Sequence, residues 1–106
     1  MDGVAIGLIK NFLALRKIKV TSLTLFGSRA RGDNSCDSDY DIIIVTENAL
    51  KNPEKRQLKV EIKRMLIENK KMFPFDLLIK SRSEFDDESR FMGNICYDVL
   101  REGIAL

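Results

Sequence analysis

The sequence predicts one small α/β domain. Segments with the periodicity of helices alternate with short β-type segments, in the order α-β-α-β-α-β-α. A chain of 106 residues can bury one hydrophobic core but not a second lobe. With 44% hydrophobic and 32% charged residues, the composition is that of an ordinary globular protein. We therefore expect residues 1–106 to form a single domain.

The first two elements are a helix over residues 4–17 and a strand over residues 21–26. The strand segment, TSLTLF, alternates small polar and apolar residues. Gly27 and Ser28 end the strand, and SRAR then predicts a helical turn with Ser28 as its N-cap. The apolar face of the first helix consists of Ala5, Leu8, Ile9, Phe12 and Leu13.

A buried strand over residues 40–45 and a second long helix follow. The continuous apolar run of YDIIIV indicates burial on both faces and a central place in a sheet. Asn52 and Pro53 are typical of the N-cap and first position of a helix. The helix is apolar at Leu58, Ile62, Met65 and Leu66, and basic at Lys55, Arg56, Lys59, Lys63, Arg64, Lys70 and Lys71. We interpret the basic side as a solvated, ion-paired face, with a surface for a partner or RNA as the alternative.

The last third predicts a strand over residues 73–80, a capped helical turn in SRSEFDDESR and a final helix. Apolar residues from Met92 to Leu100 mark that helix, and Gly103 suits its end. The tail GIAL adds a short extended piece. We assign four large side chains here to the core, with exposure to a partner as the alternative: Phe91, Met92, Tyr97 and Ile104.

The composition excludes several classes of site. The chain has no histidine, which rules out Ser-His-Asp and Cys-His triads and histidine-ligated zinc. Two cysteines make neither a zinc cage nor a disulfide framework. The N-terminus lacks the basic region of a signal peptide and no apolar run is long enough to span a bilayer, so we expect a cytoplasmic protein. A net charge of +2 gives no argument for nucleic-acid binding by itself.

The most informative stretch is GSRARGDNSCDSDYDIIIV. Asp39 and Asp41 are two residues apart at a strand entrance, so their side chains project to the same side, roughly 6–7 Å apart along the chain. Carboxylates this close repel unless one is protonated or a cation lies between them. Carboxylate oxygens suit Mg²⁺ or Mn²⁺. Asp76 interrupts the apolar strand FPFDLLI, which puts it either beside this pair, at a solvent-facing sheet edge or next to a lysine.

Other readings of the acidic stretch fit less well. A calcium loop would need glycine where Ile42 stands and glutamate where Asn48 stands. Neither GxxxxGK[ST] nor GxGxxG is present. An acidic pair alone is most often a solvated turn, but Gly27 and Ser28 at the preceding strand end would let a phosphate approach the backbone. We interpret Asp33 and Asp37 as turn formers and Cys36 as a loop residue.

Together these motifs resemble a known family. Phe26-Gly27-Ser28, ten further residues and Asp39-Tyr40-Asp41-Ile42 are similar to the hG[GS]…DhDh signature of nucleotidyltransferases related to DNA polymerase beta, in particular the minimal nucleotidyltransferase (MNT) group. Asp76 matches the third carboxylate of that family. The resemblance implies a small mixed β-sheet flanked by helices. It also implies transfer of a nucleoside monophosphate from a nucleoside triphosphate to a hydroxyl, with ATP as the expected substrate.

The resemblance assigns roles by position. Gly27 and Ser28 would bind the triphosphate. Apart from the resemblance, a guanidinium matches phosphate oxygens, and of Arg29 and Arg31 we prefer Arg31 as a phosphate contact. The alternative for each is a solvated side chain or an ion pair with Asp33 or Asp37. Asp39, Asp41 and Asp76 would be the catalytic carboxylates. The first two would ligate two Mg²⁺ ions, with Mn²⁺ as an alternative, and Asp76 would ligate one ion and help to activate the acceptor hydroxyl.

The resemblance also suggests a biological role. Minimal members of the family often pair with a helical HEPN protein and act as antitoxins by transferring AMP to a tyrosine of that toxin. We expect the same of this chain. The alternatives are an antitoxin that neutralises a partner by occlusion without catalysis, and a transferase that acts on RNA or a small molecule.

Overall fold

The computed structural model describes residues 3–32, 39–71 and 73–106, and it confirms the predicted fold class, a mixed β-sheet flanked by helices. In the described part of the chain, no helix has the length and apolar character needed to cross a membrane. The elements in chain order are α1 (Gly3–Leu15), β1 (Val20–Phe26), α2 (Ser28–Arg31), β2 (Tyr40–Thr46), α3 (Asn52–Glu68), β3 (Phe75–Ser81), α4 (Arg82–Glu88), α5 (Ile95–Glu102) and β4 (Ile104–Ala105).

Within the described residues, the strands form a sheet in the order β3-β2-β1-β4. β2 runs antiparallel to β1 but parallel to β3, which it reaches through the α3 crossover, and β4 adds two antiparallel residues beside β1. β2 is central and its residues 42–46 are buried, as its continuous apolar run predicts. This combination of directions brings the C-terminal end of β1 to the same end of the sheet as the N-terminal ends of β2 and β3.

The two faces of the sheet are covered by different helices because alternate strand residues point to opposite sides. Ile42 and Ile44 pack with α1 and α3, whose apolar faces supply Ile9, Leu13, Leu58, Ile62 and Leu66. Ile43 and Val45 pack on the other side against Cys96 and Val99 of α5. Asp41 has the same parity as Ile43, so it belongs to the α5 side of the sheet.

Three predicted helix starts are wrong. Gly27, not Ser28, is the N-cap of α2, and Ser28 is its first helical residue. Lys51 is the N-cap of α3, so Asn52 lies one position inside the helix, although Pro53 is in the first turn as expected. The final helix begins at Ile95 rather than near Met92, because the Asn94 side chain accepts a hydrogen bond from the backbone N–H of Cys96 at 2.8 Å and caps the helix there.

The late start of α5 also overturns part of the predicted core. Phe91 and Met92 lie in the turn before α5 and are 60% and 84% exposed. Ile104 lies in the short strand β4 at the side of the sheet and is also exposed. Tyr97 is half-buried, and its hydroxyl accepts a hydrogen bond from Arg101 at 2.7 Å.

The capping box between Ser81 and Glu84 fixes the junction of β3 and α4. The Ser81 hydroxyl accepts a hydrogen bond from the Glu84 backbone N–H at 3.2 Å, and the Glu84 carboxylate accepts one from the Ser81 N–H at 2.9 Å. Lys55 of α3 donates to the same carboxylate at 3.1 Å. The Ser81 N–H, more than Lys55, holds the pKa of Glu84 below its ordinary value.

Ser81→Ala should destabilise the protein by about 1 kcal/mol, because it leaves the first turn of α4 without its side-chain acceptor. Urea unfolding followed by circular dichroism measures the loss. Ser89→Ala, at the other end of α4, removes an exposed hydroxyl whose partner is the Asp86 carbonyl and should cost less than about 0.5 kcal/mol. Equal losses in the two variants would show that the cap contributes nothing.

Candidate active site

The predicted site residues lie at one end of the sheet, where β1 ends and β2 and β3 begin. In the strand register, Asp41 is opposite Phe26 of β1 on one side and opposite Asp76 of β3 on the other. Neighbouring strands are about 4.8 Å apart, so the two aspartates start from adjacent backbone positions on the same face. Asp39 precedes β2 by one residue and is exposed. The full set at this end is Gly27, Ser28, Arg31, Asp39, Asp41 and Asp76.

The electrostatics of Asp41 reflect this crowding. Partial burial, followed by the negative charges of Asp76 and then Asp39, raises the pKa of Asp41 above its ordinary value, while Arg31 opposes the shift. The ionised carboxylate of Asp41 is therefore destabilised by its own surroundings. A cation among the three carboxylates would remove that penalty.

The donor set suits a hard divalent cation, because it consists of carboxylate oxygens. Within the described ranges, no three acidic or cysteine side chains converge closely enough to form a ready-made metal cage. Asp39 and Asp76 are exposed, so their side chains have room to rotate towards Asp41. The residues thus fit Mg²⁺ in chemistry, and binding would draw the carboxylates together.

Gly27 is required by two features of its environment. Its backbone has φ 76° and ψ −156°, a region that is essentially restricted to glycine. A Cβ at this position would also collide with the carboxylate of Asp41. The close approach of the bare Gly27 backbone to Asp41 joins the predicted phosphate-binding turn directly to the acidic cluster.

The two arginines of α2 have different surroundings. The Arg29 guanidinium stacks on the Tyr40 ring, 4.0 Å from its centroid, and donates to the Tyr40 hydroxyl at 3.3 Å. Tyr40 belongs to the α1–α3 side of the sheet, opposite Asp41. Arg31 is exposed, forms an ion pair with Glu102 of α5 at 3.7 Å and lowers the pKa of Asp41. The arrangement therefore favours Arg31 over Arg29 as a phosphate contact.

The sequence left three placements open for Asp76, and the structure agrees with two of them. β3 lies at the edge of the sheet in the described part of the chain, and the Asp76 side chain is exposed there. It also neighbours Asp41 in register. Among the described residues, Asp76 forms no ion pair with a lysine.

The sequence did not predict the series of aromatic ring contacts beneath the acidic cluster. Tyr40, between the two aspartates, packs edge-on against Phe73 with ring centroids 5.4 Å apart, and Phe73 contacts Phe75 at the same distance. The aromatic residue inside DYD was the available signal. Asp33, Cys36 and Asp37, interpreted from the sequence as turn and loop residues, lie outside the described residues.

The family comparison decides the class of the protein. The model of the polymerase beta nucleotidyltransferase family matches residues 8–106. The chain belongs to this family. A comparison with curated proteins finds no match.

Two solved structures are similar to this nucleotidyltransferase. A crystal structure of a toxin–antitoxin with AMP-PNP has a TM-score of 0.58 at 20% sequence identity, over 93% of this chain and 69% of that one. The structure of a proposed minimal nucleotidyltransferase has a TM-score of 0.56 at 23% identity, over 92% of this chain and 85% of that one. At these identities the likeness concerns the fold, and it agrees with the mixed sheet described above.

Gly27→Ala should destabilise the protein by more than Gly32→Ala. Both glycines have positive φ, at 76° and 81°, so each substitution carries backbone strain of about 1–3 kcal/mol, larger at Gly27 because its ψ of −156° lies outside the left-handed helical region that Gly32 occupies. A Cβ at Gly32 meets nothing within 4 Å, whereas a Cβ at Gly27 collides with Asp41. We expect the loss for Gly27→Ala in urea unfolding to exceed that of the control by at least about 1 kcal/mol.

A double-mutant cycle separates the collision from the strain. In an Asp41→Ala background the colliding carboxylate is gone, so the additional cost of Gly27→Ala should shrink. An unchanged cost in that background would mean that Asp41 does not restrict position 27.

Asp41→Asn should raise the melting temperature of the metal-free protein at pH 7, because it removes an ionised carboxylate that the folded state disfavours. The penalty is fully present above the raised pKa of Asp41. It disappears as the pH falls towards the ordinary value of 3.8, where both folded and unfolded chains hold the proton. Thermal melts in EDTA from pH 3 to pH 8 should therefore converge at the acidic end.

The matched control for that experiment is Asp98→Asn, since Asp98 lies in the first turn of α5, where a negative charge is favourable. Its melting temperature should not rise at pH 7. A lower melting temperature for Asp41→Asn at neutral pH would contradict the repulsion inferred among the carboxylates.

Proposed function

We propose that this chain is a metal-dependent nucleotidyltransferase that transfers AMP from ATP to a hydroxyl of a partner protein, and that it acts in this way as an antitoxin. The acceptor that we propose is a tyrosine of a HEPN-type toxin, in the cytoplasm. The observation that carries the transferase part is the placement of Asp41 between Gly27 and Asp76, with Asp39 beside it. Family membership supports the reaction class.

In this proposal the three carboxylates hold the metal ions. Asp39 and Asp41 ligate two Mg²⁺ ions, and Asp76 ligates one of them from the neighbouring strand. Bound Mg²⁺ would supply positive charge at the reacting phosphate and lower the pKa of the acceptor hydroxyl. The raised pKa of Asp41 is consistent with this assignment: partial burial contributes most to it, and the negative charges of Asp76 and Asp39 add to it.

The triphosphate lies on the β1 side of the carboxylates. Gly27 exposes backbone there, and Ser28 begins α2 immediately after it. Arg31 is exposed and carries a guanidinium that matches phosphate oxygens, so nucleotide binding would compete with its 3.7 Å ion pair to Glu102. Arg29, stacked on Tyr40, holds α2 against β2 and thereby positions the turn.

The acceptor hydroxyl approaches from the β3 side, which is the open edge of the sheet in the described part of the chain. Its oxygen attacks the α-phosphorus of ATP, the bond from that phosphorus to the bridging oxygen breaks, and pyrophosphate leaves. Asp76 is exposed on this side and is placed to take the hydroxyl proton and pass it to solvent. The products are an adenylylated acceptor and pyrophosphate.

The antitoxin role is supported by the similar toxin–antitoxin structure with AMP-PNP, an ATP analogue. The likeness in fold makes an adenine nucleotide and a protein acceptor the first candidates to test.

Incubation with α-³²P-ATP, Mg²⁺ and a purified HEPN-type protein should label that protein. Asp41→Asn and Asp76→Asn should each lower the rate of labelling about 100- to 1,000-fold, as losses of charge-stabilising groups do. Asp98→Asn, an exposed aspartate on α5, should retain the wild-type rate. Labelling of RNA or a small molecule instead would overturn the protein acceptor, and protection from the toxin by the unreactive Asp39→Asn/Asp41→Asn variant would indicate occlusion.

Metal binding has an independent readout in thermal stability. Mg²⁺ at about ten times its Kd should stabilise the wild-type protein by about 1.4 kcal/mol. The same concentration should give Asp41→Asn little stabilisation, because one ligand is missing. Equal stabilisation of the two proteins would place the ion elsewhere.

A further inference from the structure

The outward face of α3 exposes aliphatic side chains that the core does not explain. Val60 and Ile67 are 50% and 58% exposed, although the opposite side of the same helix buries Leu58, Ile62 and Leu66. Val60 and Ile67 are seven residues apart and therefore lie on one line along the helix. Lys63 and Arg64 are exposed between them.

This face continues into a groove beside β3. Lys63 and Ile67 line both the surface around Val60 and a groove of about 360 Å³ whose other walls are Lys71, Phe73, Pro74 and Phe75. The Lys63 ammonium lies 5.8 Å from the centroid of the Phe75 ring. Phe75 belongs to the α1–α3 face of the sheet and immediately precedes Asp76, whose side chain is on the opposite, α5 face. The groove thus lies along the same edge strand as Asp76, and an acceptor docked there would have to reach the carboxylates around that edge. β2 separates the groove from Gly27 and α2 on β1.

The surface is also the positively charged part of the chain. Residues 59–71 contain five basic residues and two acidic ones, whereas the net charge of the whole chain is only +2. Of the two acids, Glu61 is engaged with Arg16 at 2.6 Å, and Glu68 is exposed beside Ile67 at the C-terminal end of the surface. Among the described residues, Lys63 and Arg64 form no ion pair. The charges of Lys63 and Arg64 are thus available to a negative partner.

We propose that this surface docks an acidic amphipathic helix of the protein that the chain modifies. The α3 seam consists of Val60, Lys63, Arg64 and Ile67 together with the Phe73–Phe75 groove. The apolar side of the partner helix packs along Val60 and Ile67, a large apolar side chain enters the groove, and its acidic residues face Lys63 and Arg64. The identity of the partner as the modified protein rests on the proposed function.

The seam favours a helix over a single strand of nucleic acid. Bases are held by stacking on aromatic rings, but the exposed residues along the outward face are aliphatic and repeat at the spacing of a helix–helix seam. Phe73 and Phe75 are already in contact with each other, and Phe73 also contacts Tyr40. Nucleic-acid binding at this surface is therefore a contrary outcome of the test.

Two synthetic helical peptides of about three heptads test the proposal. The acidic peptide has leucine at the apolar positions and glutamate at the flanking positions. The basic peptide is the same except that lysine replaces each glutamate. The acidic peptide should bind at least tenfold more tightly than the basic one in fluorescence anisotropy, and its binding should weaken with added salt. Amide shifts of the ¹⁵N-labelled protein should concentrate at residues 60–75.

Matched substitutions locate the surface. Ile67→Glu and Lys63→Glu should each weaken binding of the acidic peptide at least tenfold. Leu100→Glu, at a 66% exposed position on α5, should change it less than twofold. Wild-type affinity in both α3 variants, amide shifts outside residues 60–75, or tighter binding of a uridine decamer than of the acidic peptide would each overturn the proposal.

Peptide binding requires neither ATP nor metal. A failure of the docking proposal can therefore be distinguished from a failure of the proposed transfer reaction. Asp41→Asn should bind the peptide like the wild type and transfer nothing. In the labelling assay, Ile67→Glu should raise KM for the acceptor protein at least tenfold and leave kcat unchanged, because the seam contacts the acceptor away from the reacting atoms. An unchanged KM with normal transfer would support the proposed transferase activity and overturn the proposed role of the α3 seam in binding the acceptor.

Discussion

The parallel pairing of β2 with β3 is the constraint on which the rest of the site depends. It places Asp41 opposite Asp76 and leaves Asp39 two residues away, so three carboxylates start from neighbouring backbone positions where the strands begin. A shift of one residue in this register would move Asp76 to the other face of the sheet. The register is held by the buried runs that follow, in which Ile42 is opposite Leu77 and Ile44 is opposite Ile79. The hydrophobic core thus sets the separation of the charged groups.

One face of the sheet supports the site by packing, and the other carries the Asp41 carboxylate. The α1–α3 face contains most of the buried apolar side chains and also the contacts that run from Arg29 through Tyr40 to Phe73. The α5 face has a smaller buried cluster, and it is the face to which Asp41 belongs. Tyr40 and Asp41 are consecutive residues, so one strand sends a structural side chain to one face and a charged one to the other. Hydrophobic packing on the first face thus offsets the electrostatic repulsion among carboxylates on the second.

The local sequence was sufficient for the elements with strong patterns. The apolar run of β2 predicted a central strand, which the structure confirms. The isolated charge of Asp76 left several placements open, and the structure puts it on an edge strand beside Asp41. The cap of α2 could not be predicted in the same way, because the backbone of Gly27 is set by its approach to Asp41, fourteen positions away. The exposure of Phe91 and Met92 follows from the competing cap at Asn94. The stacking of Arg29 on Tyr40 joins residues eleven positions apart, so it depends on the packing of α2 against the start of β2.

The crossover through α3 has a consequence for the order of folding. Gly27 and Asp41 are joined by a short connection between antiparallel strands, whereas Asp41 and Asp76 are thirty-five positions apart and meet after α3 has packed on the sheet. Contacts of greater sequence separation carry a larger entropic cost of loop closure and form late. The side of the site at Gly27 and Asp41, where we propose that the nucleotide binds, is thus local in the chain, and the Asp76 side is not. A chain still emerging from the ribosome would present Gly27 and the first two aspartates before it possessed the third, so the full set of three carboxylates forms only with the last docking step.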